Sequence, residues 1–237
     1  MDMDVRAVLF DVFGTVVDWR GGLIADLSAW GAERGLGGAD WTGLVDAWRG
    51  AYAPSMDRVR RGEQPWAVLD DLQRATLLEL APRHGLAALN DAALDRVNEG
   101  WRRLRPWPDS VPGLGRLKRR YIVGTLTNGN VALMVDMAKR AGLPWDVIFS
   151  AELFRHYKPD PEVYLGACEM LRLPPGRVML CAAHNDDLAA AQKQGLRTAF
   201  VPRPTEYGPH QKRDFGPDGA WDVVARSIED LAARMGA

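Results

Sequence analysis

Leu9-Phe10-Asp11-Val12-Phe13-Gly14-Thr15-Val16-Val17-Asp18 is the stretch on which the reading of the fold turns. An apolar run from Val5 to Phe10 leads straight into Asp11. Such a run, β-branched at Val5 and Val8 and followed by Gly14, predicts a buried parallel strand. Asp11 then stands at the carboxyl end of that strand, where ligands bind in open α/β sheets. A carboxylate there is a nucleophile, a metal ligand or the cap of the next turn. Asp favours such junctions for its local hydrogen bonds alone, so the other strand ends must decide.

Downstream of Asp18 the period changes. Leu23, Ile24, Leu27 and Trp30 recur at three- and four-residue spacings and predict a helix over 21–36, broken by Gly35, Gly37 and Gly38. Further helices are predicted over 41–52, 66–81 and 91–103, with no strand between Trp19 and Arg105. From 110 onward strands alternate with helices. The strands fall at 121–126, 147–149, 178–182 and 198–201. The helices fall at 113–119, 131–141, 161–171 and 185–194, with an amphipathic one over 222–235. This alternation defines the α/β class, a doubly wound, Rossmann-like parallel sheet of at least five strands. The helical stretch leaves the sheet after the first strand and returns through Trp107-Pro108-Asp109-Ser110-Val111-Pro112-Gly113. The expected domains are an α/β core, 1–18 and 108–237, and a helical cap, 19–107, large enough for a small core of its own.

Composition narrows the function classes. Of 237 residues, 26% are charged and the net charge is −1, so there is no electrostatic footprint for nucleic acid or an anionic membrane. No apolar run approaches the ~18 residues of a membrane span. The acidic start Met1-Asp2-Met3-Asp4 is not a signal peptide, and a cytoplasmic location is expected. Cys168 and Cys181 are expected as buried free thiols of a reducing compartment rather than a disulfide. No Cys/His spacing suggests zinc.

Four polar clusters follow four of the strands: Asp11 with Thr15, Thr127-Asn128, Lys158, and His184 with Asp186 and Asp187. In a parallel sheet these turns converge on one edge. Four clusters at one topological position are hard to explain as caps alone.

These motifs resemble those of the haloacid dehalogenase superfamily over nearly the whole chain. Asp11-Val12-Phe13-Gly14-Thr15 is similar to its first motif, Thr127 to the second, Lys158 in Tyr157-Lys158-Pro159-Asp160 to the third, and His184-Asn185-Asp186-Asp187 to the fourth. The superfamily's Mg²⁺-dependent phosphatases carry a second Asp where Phe13 stands, and Phe13 cannot protonate a leaving alkoxide. They also place an Asp four residues before the one aligned with Asp187, where this chain has Ala183. Asp186 remains as an off-register ligand. Asp18-Trp19-Arg20, Trp48-Arg49, Pro106-Trp107-Pro108-Asp109 and Ala183-His184-Asn185 further resemble a type II 2-haloacid dehalogenase subgroup. Some relatives of that subgroup act on fluoroacetate.

The resemblance implies a metal-free, cofactor-free hydrolase. Its partners would be a short halogenated carboxylic acid and water. Asp11 would displace halide, and water would hydrolyse the resulting ester. Lys158 would offset the desolvation of Asp11, Thr15 would bond it, and Asp187, assisted by His184, would direct the water. Arg49 is the best match for the halide-binding arginine, with Arg20 competing. The N–H groups around Thr127 and Asn128, ahead of a helix, would take the substrate carboxylate. Phe13, Trp19, Tyr52 and Trp66 would restrict substrate size. Dimerisation through the insert is also expected. Two alternatives stay open: a Mg²⁺-dependent phosphatase or phosphonate hydrolase, and a non-catalytic ligand-binding homologue.

Overall fold

The computed structural model describes residues 4–237, apart from the side chain of His210. Met1 to Met3, most of the acidic N-terminus, lie outside the described residues. The first apolar run forms β1 (Ala7–Phe10), every residue of it buried. A short ribbon then marks the exit and return of the insert: β2 (Val17–Asp18) is the exit. Five helices follow: α1 (Trp19–Ala32), α2 (Trp41–Gly50), α3 (Tyr52–Arg60), α4 (Leu69–Leu80) and α5 (Asp91–Asn98). The return strand β3 (Arg105–Pro106) pairs antiparallel with β2.

Next come α6 (Ser110–Leu117), β4 (Ile122–Thr127), α7 (Val131–Ala141), β5 (Val147–Ser150) and α8 (Ala151–Phe154). The chain continues through α9 (Pro161–Leu171), β6 (Val178–Ala182), α10 (Asn185–Lys193), β7 (Arg197–Phe200), β8 (Val223–Val224) and α11 (Ile228–Arg234). The main sheet has the order β5-β4-β1-β6-β7-β8. All of its pairings are parallel. The strand that leads into Asp11 therefore lies inside the sheet, flanked by β4 and β6. Val8 and Phe10 face one apolar cluster, Ala7 and Leu9 the other. Helices cover both faces, as the doubly wound pattern requires.

Several boundaries differ from the sequence reading, each for a local reason. The first helix starts at Trp19, because the Asp18 side chain accepts from Gly21 N–H as its N-cap. The segment 41–52 breaks at Ala51, and a separate helix follows. Pro54 sits in the first turn of α3, where its missing N–H is harmless. Residues 91–103 are α-helical to Asn98 and tighten into a 3₁₀ turn, Glu99–Arg103. The closing helix begins at Ile228 and not at 222. Asp222 accepts from Thr198 N–H, Val223 pairs with Ala199 as a sixth strand, and Ser227 caps α11.

Among the described residues, the apolar interior of the insert runs on into that of the sheet. Its buried Leu23, Leu44, Trp48 and Trp101 belong to one continuous cluster with Val8 and Phe10. The link is aromatic. Phe13 meets Trp101 edge-on at 5.7 Å, and Trp101 meets Trp19 and Trp48 at 6.4 and 5.4 Å. Cys168 and Cys181 are both free and buried. Among the described residues, no helix is long and apolar enough to cross a membrane.

Candidate active site

The carboxyl ends of the strands and the underside of the insert enclose a cavity of about 820 Å³. Asp11 directly follows β1, and its N–H bonds to Cys181 O on β6, which fixes its position. The carboxylate oxygens are treated differently. Oδ2 accepts from Thr15 Oγ1 at 2.8 Å and lies 3.1 Å from His184 Nδ1. Thr15 Oγ1 itself accepts from Ala183 N–H, so its own proton is aimed at Asp11. Oδ1 faces Lys158 Nζ at 3.5 Å. Lys158 is closer to Asp187, with Nζ 2.6 Å from Oδ2. The other oxygen of Asp187 accepts from Tyr164 Oη at 2.7 Å. Lys158 thus bridges two acids rather than serving Asp11 alone. Its backbone N–H is held by Asn128 Oδ1.

The charges settle unequally over this group. Burial pushes the Asp11 carboxyl up, but the charge of Lys158, the contact with His184 and the Thr15 hydroxyl outweigh it. Asp11 is held well below the ordinary carboxylate range. Burial also raises Asp187. Lys158 opposes that rise, but the charge of Asp11 adds to it, and Asp187 stays raised. One acid is therefore kept ionised, as a nucleophile needs. The other is poised to exchange a proton. Burial lowers the Lys158 ammonium, but its two carboxylate partners outweigh this and hold its proton more firmly.

On the insert side, Arg49 lies over the rings of Trp19 and Tyr52, at 5.2 and 4.2 Å. Its Nη1 is buried and has no hydrogen-bond partner among the described residues. Burial disfavours this charge, yet the facing oxygens of Tyr207, Tyr52 and Glu206 raise its pKa above that of free arginine. A retained guanidinium with an unused donor is suited to a departing anion. Arg20 is excluded from that task by a bidentate pair with Asp46.

Asp11, Phe13, Trp19, Arg49, Tyr52 and Asn128 line the cavity. So do Lys158, His184 and Asp187. Thr127 does not, and its buried hydroxyl accepts from Gly129 N–H. The N-terminus of α7 is also engaged, since Val131 N–H bonds to Glu152. Of the N–H groups ahead of that helix, Val131 N–H is thus already held by a carboxylate. Trp66 stacks on Tyr157 at 4.8 Å and lines a neighbouring cavity. Asp186 is exposed, and its Oδ1 accepts from Asp187 N–H.

Sequence reasoning missed two residues. Tyr164, buried on α9, holds Asp187. Glu206, only 1% exposed, accepts from His184 Nε2 at 2.9 Å and from Trp19 Nε1 at 2.9 Å. Glu206 follows β7 at the same sheet edge as the other clusters, and that topological position was the available signal. Gly14 makes room for it. At φ +90°, a Cβ there would come within 2.2 Å of the Glu206 carboxylate.

A divalent ion does not fit this donor set. The ammonium of Lys158 already stands between Asp11 and Asp187, and Phe13 replaces the second acid of the first motif with an apolar ring.

This constellation on this fold defines a hydrolase class, and the chain belongs to the haloacid dehalogenase-like hydrolases, whose sequence profile matches residues 5–195. Within the class it is similar to the L-2-haloacid dehalogenase PA0810, at 54% identity and a TM-score of 0.94, over 98% of this chain and 99% of that one. It is similar to the defluorinating L-2-haloacid dehalogenase Rha0230, at 48% identity and a TM-score of 0.94, over 98% and 96%. The (S)-2-haloacid dehalogenase 4A of Burkholderia cepacia is 27% identical over 96% of this chain and 98% of its own length.

Proposed function

We propose that the chain is an (S)-2-haloacid dehalogenase-type hydrolase. It converts short 2-haloalkanoates, haloacetate and 2-halopropionate among them, to 2-hydroxy acids without metal or cofactor. The observation that carries this reading is Asp11, a mostly enclosed carboxylate with its side chain 13% exposed, kept ionised by Lys158 beside an apolar Phe13. A halide departs without a proton, so the missing acid is no loss.

Asp11 Oδ1 attacks the α-carbon, the carbon–halogen bond breaks, and the halide leaves toward Arg49. Oδ1 is the nucleophile because Oδ2 is engaged by Thr15 and His184. Water then attacks Asp11 Cγ, giving one proton to Asp187. The Cγ–Oδ1 bond breaks, the product takes Oδ1 with that proton, and the second water proton leaves Asp11 for solvent. Asn128 and Thr127 are assigned to the substrate carboxylate end, Asn128 directly and Thr127 through the turn it braces at Gly129. Phe13 and Trp19 wall off bulk water. Residues 19–107 act as the cap. The defluorinating relative extends the proposed leaving groups to fluoride.

We also place the enzyme in the cytoplasm as a homodimer. The two free thiols support the first point, and Leu78, 50% exposed on α4, supports the second. Sedimentation tests the dimer.

Halide release from fluoro-, chloro- and bromoacetate and from both 2-chloropropionate enantiomers, in EDTA, tests the activity. A single turnover in H₂¹⁸O should leave label on Asp11. Phosphate-ester hydrolysis restored by Mg²⁺, with no halide release from any 2-haloacid, would overturn the proposal.

A further inference from the structure

His184 stands between two carboxylates. Its Nδ1 is 3.1 Å from Asp11 Oδ2 and its Nε2 is 2.9 Å from Glu206 Oε2. A neutral imidazole offers one donor and one acceptor, so it matches one carboxylate and opposes the other. An imidazolium offers two donors and matches both. Glu206 is nearly inaccessible and has two partners besides the protein's general field, His184 and the Trp19 indole. Removing the charge from His184 would leave a buried carboxylate without a cation in contact. The geometry therefore favours the charged ring. Burial works against that charge, but Glu206 and Asp11 together raise the His184 pKa well above its ordinary value.

The carboxylate oxygen that His184 faces is the one left out of the first chemical step. Once Oδ1 is alkylated, Oδ2 becomes the carbonyl oxygen of the ester. When water attacks Cγ, the carbonyl electron pair moves onto Oδ2, and negative charge develops there. Thr15 Oγ1 at 2.8 Å and His184 Nδ1 at 3.1 Å are already placed around that atom. These distances are those of preorganised oxyanion donors.

We propose that Thr15 and the His184 imidazolium form the oxyanion site of the ester-hydrolysis step, with Glu206 as the positioning residue that keeps His184 protonated. This rests on the dehalogenase reading above and assigns His184 to its second half. Both donors are present from the start but strengthen as Oδ2 gains charge, which is the condition for lowering a barrier rather than only binding a ground state. His184 keeps its proton throughout, so the proton balance through Asp187 is unchanged. Lys158 faces the pair across Asp11, with Asp187 beyond it, and Arg49 and Asp18 face it across Glu206.

The test uses bromoacetate, whose halide leaves readily. In His184→Asn, steady-state turnover falls by about 10²-fold, while a burst of bromide equal to the enzyme concentration remains. Intact-mass spectrometry finds one carboxymethyl group on the chain, mapped to Asp11. In Glu206→Gln the imidazolium loses its counter-charge, so the alkaline limb of kcat moves toward neutral pH. Turnover drops roughly tenfold or more at about pH 9 and recovers at about pH 6. A merely structural Glu206 would lower turnover equally across that range. The proposal is overturned if His184→Asn loses the burst along with turnover, or if Glu206→Gln leaves the alkaline limb in place. If wild type itself releases no halide and forms no ester, the dehalogenase reading fails, which is distinguishable because it needs no variant.

Discussion

Lys158 and Arg49 are cations that face the same cavity, yet their surroundings differ. Lys158 Nζ touches two carboxylates, at 3.5 and 2.6 Å. Arg49 rests on the faces of Trp19 and Tyr52, and its Nη1 has no partner among the described residues. The sheet side of the cavity carries its own counter-charges, whereas the insert side holds a cation with an unused donor. The difference matches the movement of charge in the first half-reaction. In the proposed reaction, alkylation removes the negative charge from Asp11 and delivers it as halide on the opposite wall. Before reaction the sheet side is compensated and the insert side awaits an anion. Afterwards the insert side is compensated, and Lys158 is left to Asp187.

The largest effect comes from breaking the sheet side at its centre. Asp11→Asn keeps the shape and removes the nucleophilic charge. Halide release should fall by at least about 10⁴-fold, with no ester detectable by mass. Activity within tenfold of wild type would place the nucleophile elsewhere.

The insert side is sharpened by Arg49→Lys, which keeps the charge but loses the planar guanidinium stacked on two rings. A drop of about 10²-fold in kcat/KM is expected, with weaker product inhibition by added halide. An unchanged inhibition constant for halide would show that the leaving group is received elsewhere.

The same contrast separates what was legible in the sequence from what was not. Asp11, Thr15, His184 and Asp187 follow strand ends, and Lys158 follows β5 beyond the short α8, where period and topology mark a polar residue as out of place. Glu206 follows a strand end too, but it sits deep in a loop whose path no period constrains. It gains meaning only from Gly14 and Trp19, far away in sequence. Tyr164 was hidden in an apolar helix face, where a tyrosine reads as core. The bond from Val131 N–H at the start of α7 to Glu152, 21 residues on, was likewise beyond any local pattern. Helix boundaries shifted where a side-chain cap, Asp18 or Ser227, set the start more sharply than hydrophobic period does. The expectation of a separate cap core failed for a related reason. Counting apolar residues gives the size of a core, but not whether Phe13 and Trp101 will join it to its neighbour.

The smallest effect concerns Tyr164, and it separates the two acids that share Lys158. Tyr164→Phe deletes a single hydroxyl and leaves the ring packed on α9. Asp187 loses a donor that favours its ionised form, so its pKa, already raised by burial and by the charge of Asp11, rises further. A group that must be ionised to accept a proton from water then needs a higher pH. The acid limb of kcat should move upward, and turnover near neutrality should fall by roughly tenfold, the worth of a hydrogen bond to a charged group. The alkylation burst should stay intact, because the Tyr164 hydroxyl bonds to Asp187 and not to Asp11, and Lys158 still holds Asp11 ionised. A slowed burst with an unmoved acid limb would mean that Asp187 acts on the nucleophile rather than on the water. The two acids would then have to be treated as one unit.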